Sequence, residues 1–382
     1  MRPLPRLLGM ALLFGLGAAQ PVLLTGNPVP SAFVEQALRR ALGWSGLEAP
    51  SLPAQPPLDY GQQRVLNLGS AQVALEHAPY PPHRTTQLLL SNDPEAVTAS
   101  RGLFHYRFAA GEGVRLVYHH KNGSAGPLDF ELRLSNPTPE RVQVWVSDAA
   151  GGPVADEVYA GHVATKRWLE LYWNQVGQLI ELPPYSTRLL LKLPSRGQQV
   201  VSGLLEAVVT QGPAATLNLI ARIPGEGDPP LETYAQGPVY RFASLEKHVS
   251  QTHVAGKSTL MSLGEGAFQN GAGKAIKGSW GVLYTYELRL QNPSDTPRTV
   301  GLRLSAAGGI ARGVVWLEGQ GYELPLLRPG QPYELTRVML NARSERHIRL
   351  STLPAAGSNY PLRLLLYDPL ATTDPGPTGQ TR

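Results

Sequence analysis

One stretch occurs twice in this 382-residue chain, and it restricts the fold more than any other feature. Leu128 to Gly152 reads LDFELRLSNPTPERVQVWVSDAAGG, and Tyr284 to Gly309 reads YTYELRLQNPSDTPRTVGLRLSAAGG. In the first copy Leu128, Phe130, Leu132 and Leu134 alternate with Asp129, Glu131, Arg133 and Ser135; Tyr284, Tyr286, Leu288 and Leu290 repeat the alternation in the second. A period of two places these residues on one buried face of a strand. Asn136-Pro137 and Asn292-Pro293 follow as turns, since proline ends ladder pairing. Second alternating runs then begin, Val142, Val144, Val146 and Val300, Leu302, Leu304. Each copy reads as a β-hairpin, the second with a connection one residue longer, and the pair reads as an internal duplication.

The composition agrees with many short strands joined by turns. The chain has 40 Gly and 35 Pro but keeps 42% hydrophobic residues, too many for a disordered chain. Two apolar stripes interrupt the strands. Ser31 to Leu42 carries Phe33, Val34, Ala37, Leu38, Ala41 and Leu42 on one helical face, with Ser31 placed to cap it and Gly43 to stop it. Ala164 to Val176 carries Trp168, Leu169, Tyr172, Trp173 and Val176, with Gly177 as the stop signal. Leu182-Pro183-Pro184-Tyr185 and Leu327-Arg328-Pro329-Gly330 extend the similarity of the two halves. The expected fold is mainly β: two tandem antiparallel β-sandwich domains, immunoglobulin-like, from an internal duplication, with a short N-terminal helix and one inserted helix.

Boundaries follow from composition. Residues 1–19 have Arg2 and Arg6, the apolar run Leu7 to Leu16 and the small residues Gly17, Ala18 and Ala19, the three parts of a secretory signal peptide. Residues 20–61 hold the short helix and a Pro-rich linker, and residues 62–223 the first sandwich. Gly, Pro and acidic residues mark a linker at 224–237, residues 238–368 form the second sandwich, and 369–382 read as a disordered tail. The mature chain is expected to be exported, periplasmic or at the cell surface, with no transmembrane span. It has no cysteine, which excludes disulfides, thiolate metal sites and thiol nucleophiles. Its net charge is +5, two of it from Arg2 and Arg6, and its arginines are scattered, so nucleic acid is not an expected partner.

The segments Thr252-His253-Val254-Ala255-Gly256, Gly278-Ser279-Trp280-Gly281-Val282-Leu283-Tyr284 and Gly357-Ser358-Asn359-Tyr360-Pro361 resemble parts of exported bacterial β-sandwich proteins of unassigned function. The resemblance covers about a third of the chain and implies an exported bacterial origin rather than a chemistry.

Few residues offer chemistry. Trp168, Tyr172 and Trp173 share a helical face, and Trp145 sits on the polar side of its strand; either the helix hides all four, or they form an exposed platform for a glycan or a partner. His119 and His120 are adjacent, so they point to opposite faces of a strand, and His105 could join one of them on a metal if the strands are neighbours. Gly266 to Gly278 has Ala272 where a phosphate loop needs lysine, and neither G-x-S-x-G nor H-E-x-x-H occurs. No cofactor is expected. The leading expectation is a cell-envelope structural or adhesive protein making protein contacts without catalysis; a carbohydrate-binding protein using the aromatic rings is the alternative, and a metal-binding or enzymatic protein using His105, His119 and His120 comes third.

Overall fold

The computed structural model describes residues 21–43, 52, 54–68, 71–230, 239–265 and 279–370. The expected signal peptide, the Gly-rich stretch 266–278 and nearly all of the expected tail lie outside the described residues. In chain order the first elements are β1 (Val22–Thr25), α1 (Ser31–Ala41), β2 (Gln63–Leu68), β3 (Ala71–His77), β4 (Thr85–Ser91), β5 (Ala96–Val97), β6 (Arg101–Ala109) and β7 (Gly113–Asn122). Next come β8 (Leu128–Ser135), β9 (Val142–Val154), α2 (Glu157–Trp173), β10 (Gly177–Leu182), β11 (Thr187–Ser195), β12 (Val200–Gln211), β13 (Ala214–Arg222) and β14 (Val239–Arg241). The chain continues with β15 (Glu246–Val254), β16 (Thr259–Leu263), β17 (Leu283–Asn292), β18 (Arg298–Ala306), β19 (Val314–Leu317) and β20 (Gln320–Glu323). It ends with β21 (Tyr333–Leu340), β22 (Ser344–Thr352) and β23 (Leu362–Tyr367).

These strands make four sheets and two sandwiches. The first sandwich faces the large sheet β14-β4-β7-β12-β9-β10-β1-β3-β2 with the sheet β11-β8-β13-β6; the second faces β15-β17-β22-β19-β20 with β16-β23-β18-β21. Phe104, Phe108, Phe130, Leu132, Leu205 and Leu217 fill the space inside the first. Pairing is mostly antiparallel, with parallel pairs at β1·β3, β4·β7, β5·β7 and β15·β17. The large sheet takes in β1 from the segment before residue 62 and β14 from beyond residue 238, so its ladders run across both of those expected boundaries.

The repeated stretch is not a hairpin. β8 and β9 belong to opposite sheets, as do β17 and β18, so each Asn-Pro segment is an arch that carries the chain across the sandwich. The asparagine builds the arch. Asn136 Nδ2 donates to the carbonyls of Glu140 (2.7 Å), Leu182 (3.1 Å) and Pro183 (2.9 Å), while its Oδ1 accepts from the amide and hydroxyl of Thr138. Asn292 does the same with Thr296, Leu340 and Asn341, and with Ser294. In both copies the side chain binds the carbonyl four residues on, so the connections are equally long; the apolar run of the second simply begins later. Asn122 makes a third arch between β7 and β8, donating to Gly126 and Ser195 and accepting from Ser124.

The repeat reaches well beyond the arch. β7-β12-β9-β10 and β16-β23-β18-β21 have the same order, and β8·β11 matches β17·β22. By this topology Leu182 corresponds to Leu340, and Tyr185 to Arg343, which share a positive φ. The Pro-containing elements read as equivalent are therefore out of register, because Leu327-Arg328-Pro329-Gly330 precedes β21 rather than following it.

Both helices extend the sequence reading and correct it. α1 follows Pro30, and no side chain caps it, so Ser31 is its first residue and not its cap. α1 docks through Arg40, which is buried and bonds Asp148 Oδ2 at 2.6 Å and the Leu190 carbonyl at 2.8 Å. α2 starts seven residues before the apolar stripe, where Asp156 accepts from the amide of Tyr159. The small residues Ala160, Gly161 and Ala164 hide this first half from a reading that follows large apolar residues.

Candidate functional site

The inserts that distinguish the two copies occupy the same place. α2 lies between β9 and β10, and the hairpin β19–β20 lies between their counterparts β18 and β21. They meet. His162 on α2 faces Glu323 at the end of β20 (3.1 Å), Lys166 reaches the other oxygen of Glu323 (2.9 Å), and the Trp173 ring stacks against Trp316 of β19 (6.4 Å between centroids). Gly161 approaches so closely that a Cβ there would lie 1.8 Å from the carbonyl oxygen of Ala356. One apolar cluster consequently includes Leu88, Val117, Ala164 and Trp168 of the first unit with Val282, Leu283, Tyr284 and Leu288 of the second.

Beneath α2, the large sheet presents an ion pair to this joint. Arg115 on β7 is 1% exposed and lies across from Glu206 on β12, with Nη2 to Oε2 at 3.0 Å. Arg115 Nη1 also donates to the carbonyl of Gly281 (2.8 Å), at the start of the second sandwich, and its guanidinium lies 4.4 Å from the Trp168 ring. Glu206 further accepts from the Thr85 hydroxyl and faces His83 Nε2 at 3.2 Å. Tyr172 on α2 donates to Glu246 at the start of β15. A buried carboxylate needs such partners, because burial alone favours its neutral form. Burial pushes Glu206 up, but Arg115, His83 and Thr85 outweigh it and hold the carboxyl at about 2. Burial pushes His83 down, and the hydrogen bond and charge of Glu206 reverse this, leaving it raised. Tyr80 is half-buried, and the partial loss of water and then the charge of Glu206 raise it to about 12.

The aromatic residues do not make a platform. Trp168 and Trp145 are 1% and 3% exposed, and Tyr172 and Trp173 pack against the shared core. Trp145 is covered by Tyr80 and His83 from the β3–β4 connection, not by the helix, and its Nε1 donates to Thr25 Oγ1 (3.0 Å). The polar matching under α2 is incomplete, since Thr165 Oγ1 and Trp168 Nε1 are buried without a hydrogen-bond partner among the described residues.

The three histidines lie on three different surfaces. β6 and β7 are in opposite sheets, so the neighbouring strands a shared metal would need do not exist. His105 Nδ1 meets Asn218 Oδ1 (2.7 Å) on the smaller sheet. His120 is buried with Nδ1 donating to the Pro94 carbonyl (2.9 Å), Nε2 at 2.9 Å from Ser91 Oγ, and Phe130 stacked beside it. Burial holds its imidazole down at about 4, the neutral form these partners fit. His119 points the other way, toward Gly357 of the second sandwich, and burial lowers it too. Among the described residues no three His, Cys, Asp or Glu side chains are grouped to hold a metal.

Arg115 and Glu206 were visible as lone charges inside the apolar runs GVRLVY and GLLEAVV, the mark of a buried pair. What was missing was their pairing across strands far apart in sequence.

No family model matches the chain, and neither does any curated protein. Among solved structures it is similar to tripeptidyl peptidase 2, at 10% identity and a TM-score of 0.20, over 78% of this chain and 24% of that one. It is also similar to the CBM22-1–CBM22-2 tandem of Paenibacillus barcinonensis Xyn10C (11%, TM-score 0.16, 72% and 91%) and to Lac15 from a marine microbial metagenome (13%, TM-score 0.14, 78% and 65%). The chain thus spans about a quarter of the peptidase and just under two thirds of Lac15. At these scores the likenesses add nothing to what the four sheets establish.

Proposed function

We propose that this protein is exported and acts as a stiff two-sandwich structural or adhesive element of a bacterial envelope, working through protein contacts rather than catalysis. The observation that carries the reading is the joint. The residues with most chemistry to offer, Arg115, Glu206, Trp168 and Tyr172, are committed to fixing one sandwich on the other. A spacer needs such a joint, since interfaces between domains of one chain are mobile unless large and apolar. The N-terminal run of Arg2, Arg6 and Leu7 to Leu16 supports export. Trp145 and Trp168 are buried, and Tyr172 and Trp173 are half-buried against the shared core, which counts against glycan binding through these rings.

A C-terminally tagged chain in its native cells, treated with a cross-linker that does not cross membranes, tests the reading. The expected result is a chain shortened at the N-terminus, in the envelope fraction, joined to one recurring envelope component. An unshortened chain inside the cell, or a processed chain that stays free and monomeric, would overturn it.

A further inference from the structure

The two copies differ at one edge, and the first copy records what fits there. In the large sheet β7 is flanked by β4, which runs parallel to it with Leu88, Leu89 and Leu90 opposite Arg115, Leu116 and Val117. The counterpart of β7 is β16. Asp148 and Leu304 lie equally far beyond the arch asparagines; following the ladders outward from them aligns Leu205 with Leu364 and then Leu116 with Met261. β16 ends its sheet, and among the described residues no strand pairs with its outer side.

Natural sheets guard such edges with charges or proline. Nine strands have a single partner strand among the described residues; setting aside the two-residue β5, seven of the other eight carry a charged residue, including β21 with Glu334 and Arg337 at the opposite edge of the same sheet as β16. β16, reading TLMSL, carries neither a charge nor a proline. Leu260, at the position where the first copy has the buried Arg115, is 63% exposed. At the far end of β16, Tyr286 Oη donates to the Ser262 carbonyl (3.2 Å) and accepts from the Gly264 amide (2.8 Å), which leaves Thr259 to Met261 as the accepting stretch.

We infer that β16 accepts a strand from another protein: an extended, uncharged segment with apolar side chains, running parallel to β16 as β4 runs beside β7. Backbone hydrogen bonds supply the affinity in this mode, and apolar positions over the core supply the selectivity. An apolar residue opposite Met261 would take the place of Leu89 opposite Leu116. The inference deepens the reading of the protein as one that works through protein contacts, but its test needs no export or envelope.

The probe is a fluorescent peptide with the sequence of residues 85–92, TTQLLLSN, titrated into the full chain. Saturable binding is expected, weakened about tenfold or more by Leu260→Lys, which places a guarding charge on an exposed position without touching the core. Hydrogen exchange should slow at Thr259 to Met261 when the peptide is bound. A peptide in which lysine replaces the residue matching Leu89 should not bind. Absence of binding, binding unchanged in Leu260→Lys, or protection elsewhere would overturn the inference. So would a dimer of the protein that Leu260→Lys dissolves, since the occupant would then be a second copy. None of these outcomes bears on whether the chain is exported or cross-links to an envelope component.

Discussion

Asn292 shows how much of this fold rests on single side chains. Its amide donates to three carbonyls and its oxygen accepts from Ser294, so it serves both as donor and as acceptor at a buried arch. Asn292→Ala should destabilise by about 2 to 4 kcal/mol, because buried carbonyls lose their donors. Asn292→Asp should not rescue it in urea titrations, since a carboxylate cannot donate to carbonyls. His120 gives a second residue-scale prediction. Its folded pKa, about 4, is below its ordinary 6.5, so its contribution is complete above pH 6.5 and is lost as pH falls through 4. The loss is on the order of 3 kcal/mol. His119, His162 and His253 are also lowered and add to the same acid-side slope, whereas raised His83 contributes in the opposite sense, with stability lost as pH rises. Glu206 keeps its charge to about 2 and loses its contribution only below its ordinary 4.5. Unfolding midpoints measured from pH 7 to 4 should therefore fall in the parent and fall less in His120→Gln.

Among the elements, the strands were the most legible. Alternation identified β8, β9, β17 and β18, but not that the Asn-Pro segments carry the chain between sheets. A hairpin and an arch share the same alternation, and only the side-chain bonds of Asn136 and Asn292 tell them apart. The repeated N-x-[ST] spacing, present also at Asn122, was the available signal. For α2, large residues marked the half that carries Trp168 and Tyr172, while the half that makes the closest approach is marked by small ones. Gly161→Ala separates the two roles of this helix. Alanine favours an isolated helix by about 1 kcal/mol over glycine. Here its Cβ would collide with the Ala356 carbonyl, so the variant should be less stable despite the gain. Calorimetry should show the unfolding of the two sandwiches splitting into separate transitions, and a single sharper transition at higher temperature would refute this.

At the scale of the whole molecule, the shared core predicts that the covalent link is not what keeps the sandwiches together. The connection includes exposed Gly225 and Gly227. A protease site placed there and cut should leave both fragments co-eluting on gel filtration, whereas adding Trp168→Ala and Trp173→Ala should separate them. The duplication was legible, but the meeting of the two inserts was not, because the residues that meet are far apart in the sequence, His162 and Glu323 by 161 positions.

That meeting also limits how far the chain can grow. Had both copies kept a helix between these strands, the joint would have set one surface against its like; a helix against a hairpin is a contact between unlike surfaces. Here the first unit offers a helix and the second answers with a hairpin. The joint uses up both, so it closes at two sandwiches, and a third would need a contact of another kind.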